Sequence, residues 1–176
     1  AEGMKYRFQW NFPIFFSPHN SKKLYTASNV LHVSMDEGQS WKIISPDLTR
    51  NDPNKLGSSG GPITKDNTGV EYYCTIFAAV ESYHDEGVIW TGSDDGLIHI
   101  TLDGGENWNK INKGLPSSNM GKIGLAISPM NPDILYAAVE TERRKGAVYR
   151  SANSGGSWKK MSETVSAGTG PHYYQE

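Results

Sequence analysis

The octapeptide SMDEGQSW, residues 34–41, recurs in looser form as TLDGGENW (101–108) and SANSGGSW (151–158). One turn written three times points to a repeated structural unit, and a repeat decides the architecture before any single element does. The similarity extends outward from the turn. Upstream, SPHNSKKLY (17–25), SYHDEGVIW (82–90) and SPMNPDILY (128–136) each run from a Ser to an aromatic residue eight positions on, with an aliphatic residue just before it. Short apolar stretches, VLHVS, LIHIT and AVYRS, then lead into the three turns in one register. Leu31, Ile98 and Val148 hold the third place before the turn, His32, His99 and Tyr149 the second, and Ile44, Ile111 or Met161 follows three residues after each Trp.

Each unit reads as four strands. In the third unit they are KIGLAIS (122–128), ILYAAV (134–139), AVYRS (147–151) and the segment from Trp158 onward. A four-stranded unit repeated in series is the mark of a β-propeller blade. A β-sandwich requires no internal similarity. The expected fold is therefore all-β, a β-propeller segment of about three to four four-stranded blades, with repeat units covering about 12–44, 72–111 and 121–161 within a single segment 1–176. The hairpin between the middle strands differs most, VETERRKG (139–146) being longer than TASN (26–29), as expected where a loop absorbs insertions.

The turn has a physical reading. Ser34, Thr101 and Ser151 open it. Asp36, Asp103 and Asn153 can accept bonds from backbone N–H groups two or three positions on, and Gly38, Gly105 and Gly156 can supply positive φ. Trp41, Trp108 and Trp158 are expected to fold back over their own hairpins as apolar covers. On that reading Trp41→Ala costs about 3–5 kcal/mol.

Composition narrows the function. With 36% apolar residues, 20% charged residues and 19 Gly among 176 residues, the chain suits a folded β protein. A net charge of -2 lacks the basic field that draws in nucleic acid or anionic lipid. No run reaches the 18 apolar residues of a membrane-spanning helix. Cys74 stands alone, so no internal disulfide forms and no Cys/His spacing resembles a zinc site. No nucleophile elbow or phosphate loop is present, so no catalytic residue, metal or cofactor is expected.

Asp94, Asp95 and Asp103 lie within ten positions, but the Asp-Gly pairs at 95–96 and 103–104 are turn signals first. His32 and His99 share a register that Tyr149 fills in the third unit, so they read as packed or edge aromatics. The strongest candidate for a binding surface is the insertion 45–71 with the residues that follow it, much longer than the equivalent connection 112–121. Arg50, Asp52, Lys65, Asp66, Tyr72 and Tyr73 are its candidate ligand-binding side chains.

The pattern S-x-D-x-G-x-[ST]-W at blade spacing resembles the Asp-box, or bacterial neuraminidase (BNR) repeat, of sialidases, xyloglucanases, sortilin-type receptors and photosystem assembly factors. Residues 34–41 match every fixed place, 101–108 carry Thr101 and Asn107 instead, and 151–158 carry Asn153. The stretches ISPDLTRND (44–52), GGPITKDNTGVEYY (60–73), GVIWTGSDDGLIHITLDGGENW (87–108) and GKIGLAISPMNPDILYA (121–137) resemble secreted bacterial sortilin-like propellers, also termed BNR-repeat glycosyl hydrolases. The resemblance covers nearly the whole chain. It implies a secreted, periplasmic or cell-surface protein that belongs with the remainder of a larger propeller or another chain. A non-catalytic module binding a protein, peptide or glycan is the first functional reading. The alternative is a glycoside hydrolase of xyloglucanase or sialidase type, which needs two carboxylates about 5–9.5 Å apart. Asp47, Asp52, Asp66 and Glu71 are the carboxylates of the insertion, and no spacing pairs them.

Overall fold

The computed structural model describes residues 4–58, 63–65, 68–117, 120–142 and 145–164. Each predicted blade is a four-stranded, wholly antiparallel sheet whose strands follow chain order. The first comprises β1 (Ile14–Phe16), β2 (Leu24–Ala27), β3 (Leu31–Ser34) and β4 (Lys42–Ile43). The second comprises β5 (Ile76–Glu81), β6 (Ile89–Ser93), β7 (Ile98–Thr101) and β8 (Asn109–Lys110). The third comprises β9 (Ile123–Ile127), β10 (Leu135–Glu142), β11 (Lys145–Ser151) and β12 (Lys159–Thr164). A 3-10 turn at Pro53–Lys55 is the single helical element among the described residues.

The repeated register is visible in the ladders, where Thr26 faces His32, Thr91 faces His99 and Ala137 faces Tyr149. The hairpin after each first strand also repeats: the N–H groups of Ser17, Ser82 and Ser128 donate to the carbonyls of Lys23, Val88 and Ile134 at 2.8–2.9 Å. The longer middle hairpin of the third blade extends its ladder as far as the Glu142–Lys145 pair, so the extra residues lengthen strands rather than a loop.

Strand alternation gives every blade two apolar faces, and the cores lie between blades. Tyr25, Leu31, Ile76 and Ile89 fill the space between the first and second, with Phe15 and Trp108 against them. Trp90, Ile98, Ile123, Leu135 and Tyr149 fill the space between the second and third. Gly92 admits Ile123, since a Cβ there would stand 2.9 Å from the Ile123 Cγ2.

The three turns share one bonding pattern. The hydroxyls of Ser34, Thr101 and Ser151 donate to Asp36, Asp103 and Asn153 and accept the N–H of Gly38, Gly105 and Gly155 at 2.8–2.9 Å. The carboxylate or amide oxygen then accepts the N–H of Ser40, Asn107 or Ser157, each at 2.9 Å. That donor lies four positions on, not the two or three expected, because two consecutive left-handed residues lengthen the turn. Glu37 and Gly38, Gly104 and Gly105, and Ser154 and Gly155 all have positive φ. The glycine required in the third turn is accordingly Gly155, at φ 94°, and not Gly156.

The tryptophans also depart from expectation. Trp108 Nε1 donates to the carbonyl of Ile44 at 3.0 Å and Trp158 Nε1 to that of Ile111 at 2.8 Å, so each indole bridges to the preceding blade instead of capping its own hairpin alone. Trp41, in the first of the three blades described, is 41% exposed. The burial that would make Trp41→Ala cost about 3–5 kcal/mol therefore belongs to Trp158, 5% exposed.

Candidate functional site

Antiparallel order places the Trp-bearing turns at one end of the blades. The β2–β3 and β6–β7 hairpins and the long β4–β5 segment lie at the other. At this second end the β4–β5 segment is anchored rather than loose. Leu48 is 2% exposed in the first inter-blade core, and its N–H donates to the Asn29 carbonyl at 3.0 Å. Arg50 donates through its backbone N–H to Asp95 Oδ2 and through Nε to the Asp95 carbonyl, both at 2.7 Å. Asp52 accepts the Asn54 N–H at 3.0 Å, with Pro53 at the first helical place, and so caps the short 3-10 turn.

The Asp94–Gly96 hairpin is the hub. Asp94 and Asp95 are 2% and 1% exposed. Asp94 accepts the N–H and the hydroxyl of Thr75, each at 2.8 Å, and the Gln9 amide at 3.3 Å, while Asp95 accepts the Ser93 hydroxyl. Desolvation pushes the Asp94 carboxyl up to about 7, against the pull of the Thr75 bonds. Burial, reinforced by Asp95, raises the Cys74 thiol to about 12 and also raises the Tyr73 phenol. A thiol so raised is a poor nucleophile.

The residues before the first blade complete the face. Arg7 donates to Asp47 Oδ2 at 2.6 Å, to Thr49 Oγ1 at 3.2 Å and to the Cys74 carbonyl at 3.0 Å, and its N–H donates to Asn29 Oδ1. Gln9 donates to the Tyr72 carbonyl at 2.9 Å, and Trp10 Nε1 donates to Glu71 Oε1 at 2.8 Å. Two blades and the β4–β5 segment are thus joined through one arginine and one glutamine.

Of the predicted residues, the structure brings Arg50 and Tyr73 to the Asp94–Asp95 hub, Lys55 standing 5.8 Å over the Tyr73 ring. Tyr73 is buried, Tyr72 half-buried, Arg50 and Lys65 exposed, and Asp52 is engaged in its cap. Asp66 lies outside the described residues. Sequence reasoning took Asp94 and Asp95 as turn formers, which they are, without their role as the anchor for the segment. Arg7 and Gln9 carried no signal at all, because residues 4–12 have no counterpart in the other units, and Asn29 was read only as part of the TASN hairpin. Asp47, Asp52, Glu71, Asp94 and Asp95 each accept at least one internal hydrogen bond.

No protein-family model and no curated protein matches the chain. Among solved structures it is similar to a GH74 enzyme from Niastella koreensis, at 15% identity and a TM-score of 0.50 over 84% of this chain. It is also similar to YCF48 from Cyanidioschyzon merolae, at 17% identity and a TM-score of 0.50 over 91% of this chain. The chain spans 17% of the first protein's length and 41% of the second's. At such identities the likeness speaks for the fold alone. With its sheet order, it defines the class: the chain is a partial β-propeller, with three blades among the described residues. No helix among the described residues is long and apolar enough to cross a membrane.

Proposed function

We propose that the chain is a non-catalytic propeller module that offers its β4–β5 segment to a protein, peptide or glycan. In this reading it belongs to a secreted, periplasmic or cell-surface protein of the sortilin-like, Asp-box kind, and the insertion 45–71 between the first two units carries the contact. Arg50 and Lys65 present charge, Tyr72 contributes its ring, Asp52 holds the local turn and Tyr73 supports the segment from beneath.

The observation that carries the reading is the fixing of Arg50 on Asp95, backbone and side chain together. A surface loop held to a rigid scaffold at such a point loses little entropy on binding, which is where preorganised recognition gains affinity. Asp47, Asp52 and Glu71 each accept a bond from Arg7, Asn54 or Trp10, so in this reading they serve as tethers of the segment.

The test is a screen of the chain against immobilised glycans and peptides, followed by titration of the best ligand. Saturable binding weakened at least about tenfold (1.4 kcal/mol) by Lys65→Glu or Arg50→Glu is the expected result. Release of reducing ends from a β-glucan, lost in Asp52→Asn, would replace this reading with glycoside hydrolysis.

A further inference from the structure

Two arginines stand at the β4–β5 end, and they differ in what their guanidinium groups are left to do. Arg7 is fully engaged: Nε donates to the Cys74 carbonyl at 3.0 Å, and Nη2 donates to Asp47 Oδ2 at 2.6 Å and to Thr49 Oγ1 at 3.2 Å. Arg50 begins alike, its Nε donating to the Asp95 carbonyl at 2.7 Å, but its side-chain bonds stop there. Neither of its Nη groups donates to a described residue, and it forms no ion pair among them. The acids around it already have partners. Asp47 pairs with Arg7, Asp52 caps its 3-10 turn with Lys55 Nζ at 3.8 Å, and Asp95 accepts the Ser93 hydroxyl and the Arg50 backbone N–H.

An exposed arginine commonly swings in water, whereas Arg50 is pinned at two points, through its backbone N–H and through Nε, both at 2.7 Å. The anchor is itself fixed, since Asp95 is 1% exposed and the next residue, Gly96, packs on Met120. With Nε taken, the planar group can present only its Nη1–Nη2 edge, and the orientation of that edge is set before any ligand arrives. Two parallel N–H groups of this kind match the two oxygens of a carboxylate, and little side-chain entropy is left to lose. The neighbouring ring narrows the source of the carboxylate. Tyr73, close enough for the Arg50 charge to act on its phenol, is 4% exposed, with Lys55 Nζ 5.8 Å over its ring. It leaves no open face on which a sugar ring could stack, which favours an aspartate or glutamate side chain over an acidic sugar.

We propose that the Nη1–Nη2 edge of Arg50 grips a side-chain carboxylate of an acidic peptide segment, both oxygens at once. The inference rests on the reading of the β4–β5 segment as the contact surface, and it narrows the partner from a protein, peptide or glycan to an acidic peptide. Arg7, beside it, takes no part, because its own fork already holds Asp47.

Nuclear magnetic resonance of the isotope-labelled chain tests it, with end-blocked tetraglutamate, end-blocked tetraglutamine and digalacturonate as probes. Tetraglutamate is expected to move the Arg50 side-chain N–H signals saturably and to leave those of Arg7 in place, and tetraglutamine to move neither. Arg50→Lys keeps the charge and the backbone anchor but loses the fork, so its affinity for tetraglutamate should fall about tenfold. Arg50 signals that tetraglutamate does not move, or moves no more than tetraglutamine does, overturn the proposal without recourse to a variant. So does an affinity unchanged in Arg50→Lys. Digalacturonate acting on Arg50 at lower concentration than tetraglutamate would replace the peptide with an acidic glycan. A neutral peptide or glycan that binds the segment with the Arg50 signals unmoved would sink this inference and leave the proposed function standing, whereas a chain that binds no probe and no ligand of the screen would sink both.

Discussion

The Trp158 indole crosses a blade boundary to donate to the Ile111 carbonyl at 2.8 Å, and Trp108 repeats the bond one blade earlier on Ile44 at 3.0 Å. The repeated turn is therefore a device for registering one blade on the previous one as well as a hairpin closure. Trp158→Ala should cost about 3–5 kcal/mol, the cost of deleting a large buried aromatic. Trp158→Phe, which keeps most of the area and leaves the carbonyl unpaired, should cost about 1–3 kcal/mol. Trp41→Ala should cost less than about 1 kcal/mol, as an exposed side chain. Urea melts of the three variants rank them, and an order with Trp41 first would overturn the bridging role.

Glycine substitutions separate backbone demand from space. Gly104 and Gly105 both have positive φ, at 73° and 105°. A Cβ on Gly104 meets open space, whereas one on Gly105 collides with the Ile44 carbonyl oxygen of the neighbouring blade. Gly104→Ala should then cost about 1 kcal/mol for its left-handed backbone, and Gly105→Ala distinctly more, because its obstruction is backbone that cannot yield. Gly155→Ala should fall between the two, because its Cβ meets the tip of the Ile111 side chain, which can yield, and Gly156→Ala, free of positive φ, should be the mildest. Thermal melts decide the order.

The blades were legible because a repeat multiplies weak signals: positions 31, 98 and 148, or 41, 108 and 158, could be read against each other. In SANSGGSW, where Gly155 and Gly156 adjoin, the expected turn glycine fell one residue late: the fifth place of the octapeptide, the positive φ and the bond to Ser151 all belong to Gly155. What a repeat cannot reveal is which neighbour a side chain faces. Trp41 and Trp158 are alike in sequence, yet one is 41% exposed and the other, bonded to the Ile111 carbonyl of another blade, 5%. The candidate binding face was legible as a long segment and no further. Its anchors, Arg7 on Asp47 and Arg50 on Asp95, join residues 40 and 45 positions apart that have no periodic relation.

Two separate pH windows follow on the acid side. Burial, with Lys110 adding to it, lowers His99 to about 4, and its Nδ1 is buried without a partner among the described residues. Its folded value lies below its ordinary 6.5, so the unfolded chain binds the extra proton and stability falls as pH drops from about 6.5 through 4. His99→Tyr, the residue type of the third blade, should reduce that limb to the part that His32, also lowered by burial, contributes. Bonds from Ser40 hold Asp36 at about 2 and bonds from Asn107 hold Asp103 at about 2, so a second loss should begin only below pH about 4 and persist in that variant. Denaturant midpoints taken from pH 7 down to 2 distinguish the two steps.

Asp94 supplies the opposite slope. Desolvation raises its carboxyl to about 7 from an ordinary 3.8, so between those values the folded chain binds more protons than the unfolded one. The associated stability is complete below pH about 4 and is lost as pH climbs through 7, at no more than about 1.4 kcal/mol per pH unit. Ionisation would place a charge beside Asp95 and Tyr73 under the β4–β5 segment, with Gln9 and the Thr75 N–H and hydroxyl as the hydrogen-bond donors facing Asp94. Amide exchange at Thr75 and Arg50, whose N–H groups donate to Asp94 and Asp95, should therefore quicken from pH 5 to pH 8 beyond the intrinsic base-catalysed increase. Asp94→Asn keeps the carbonyl acceptor for Thr75 and removes the proton, so the loss of stability as pH climbs through 7 should be absent from it. In the His99→Tyr chain, a midpoint that does not fall between pH 6.5, above the limb that His32 leaves, and pH 8 would show that Asp94 is already ionised in the folded chain.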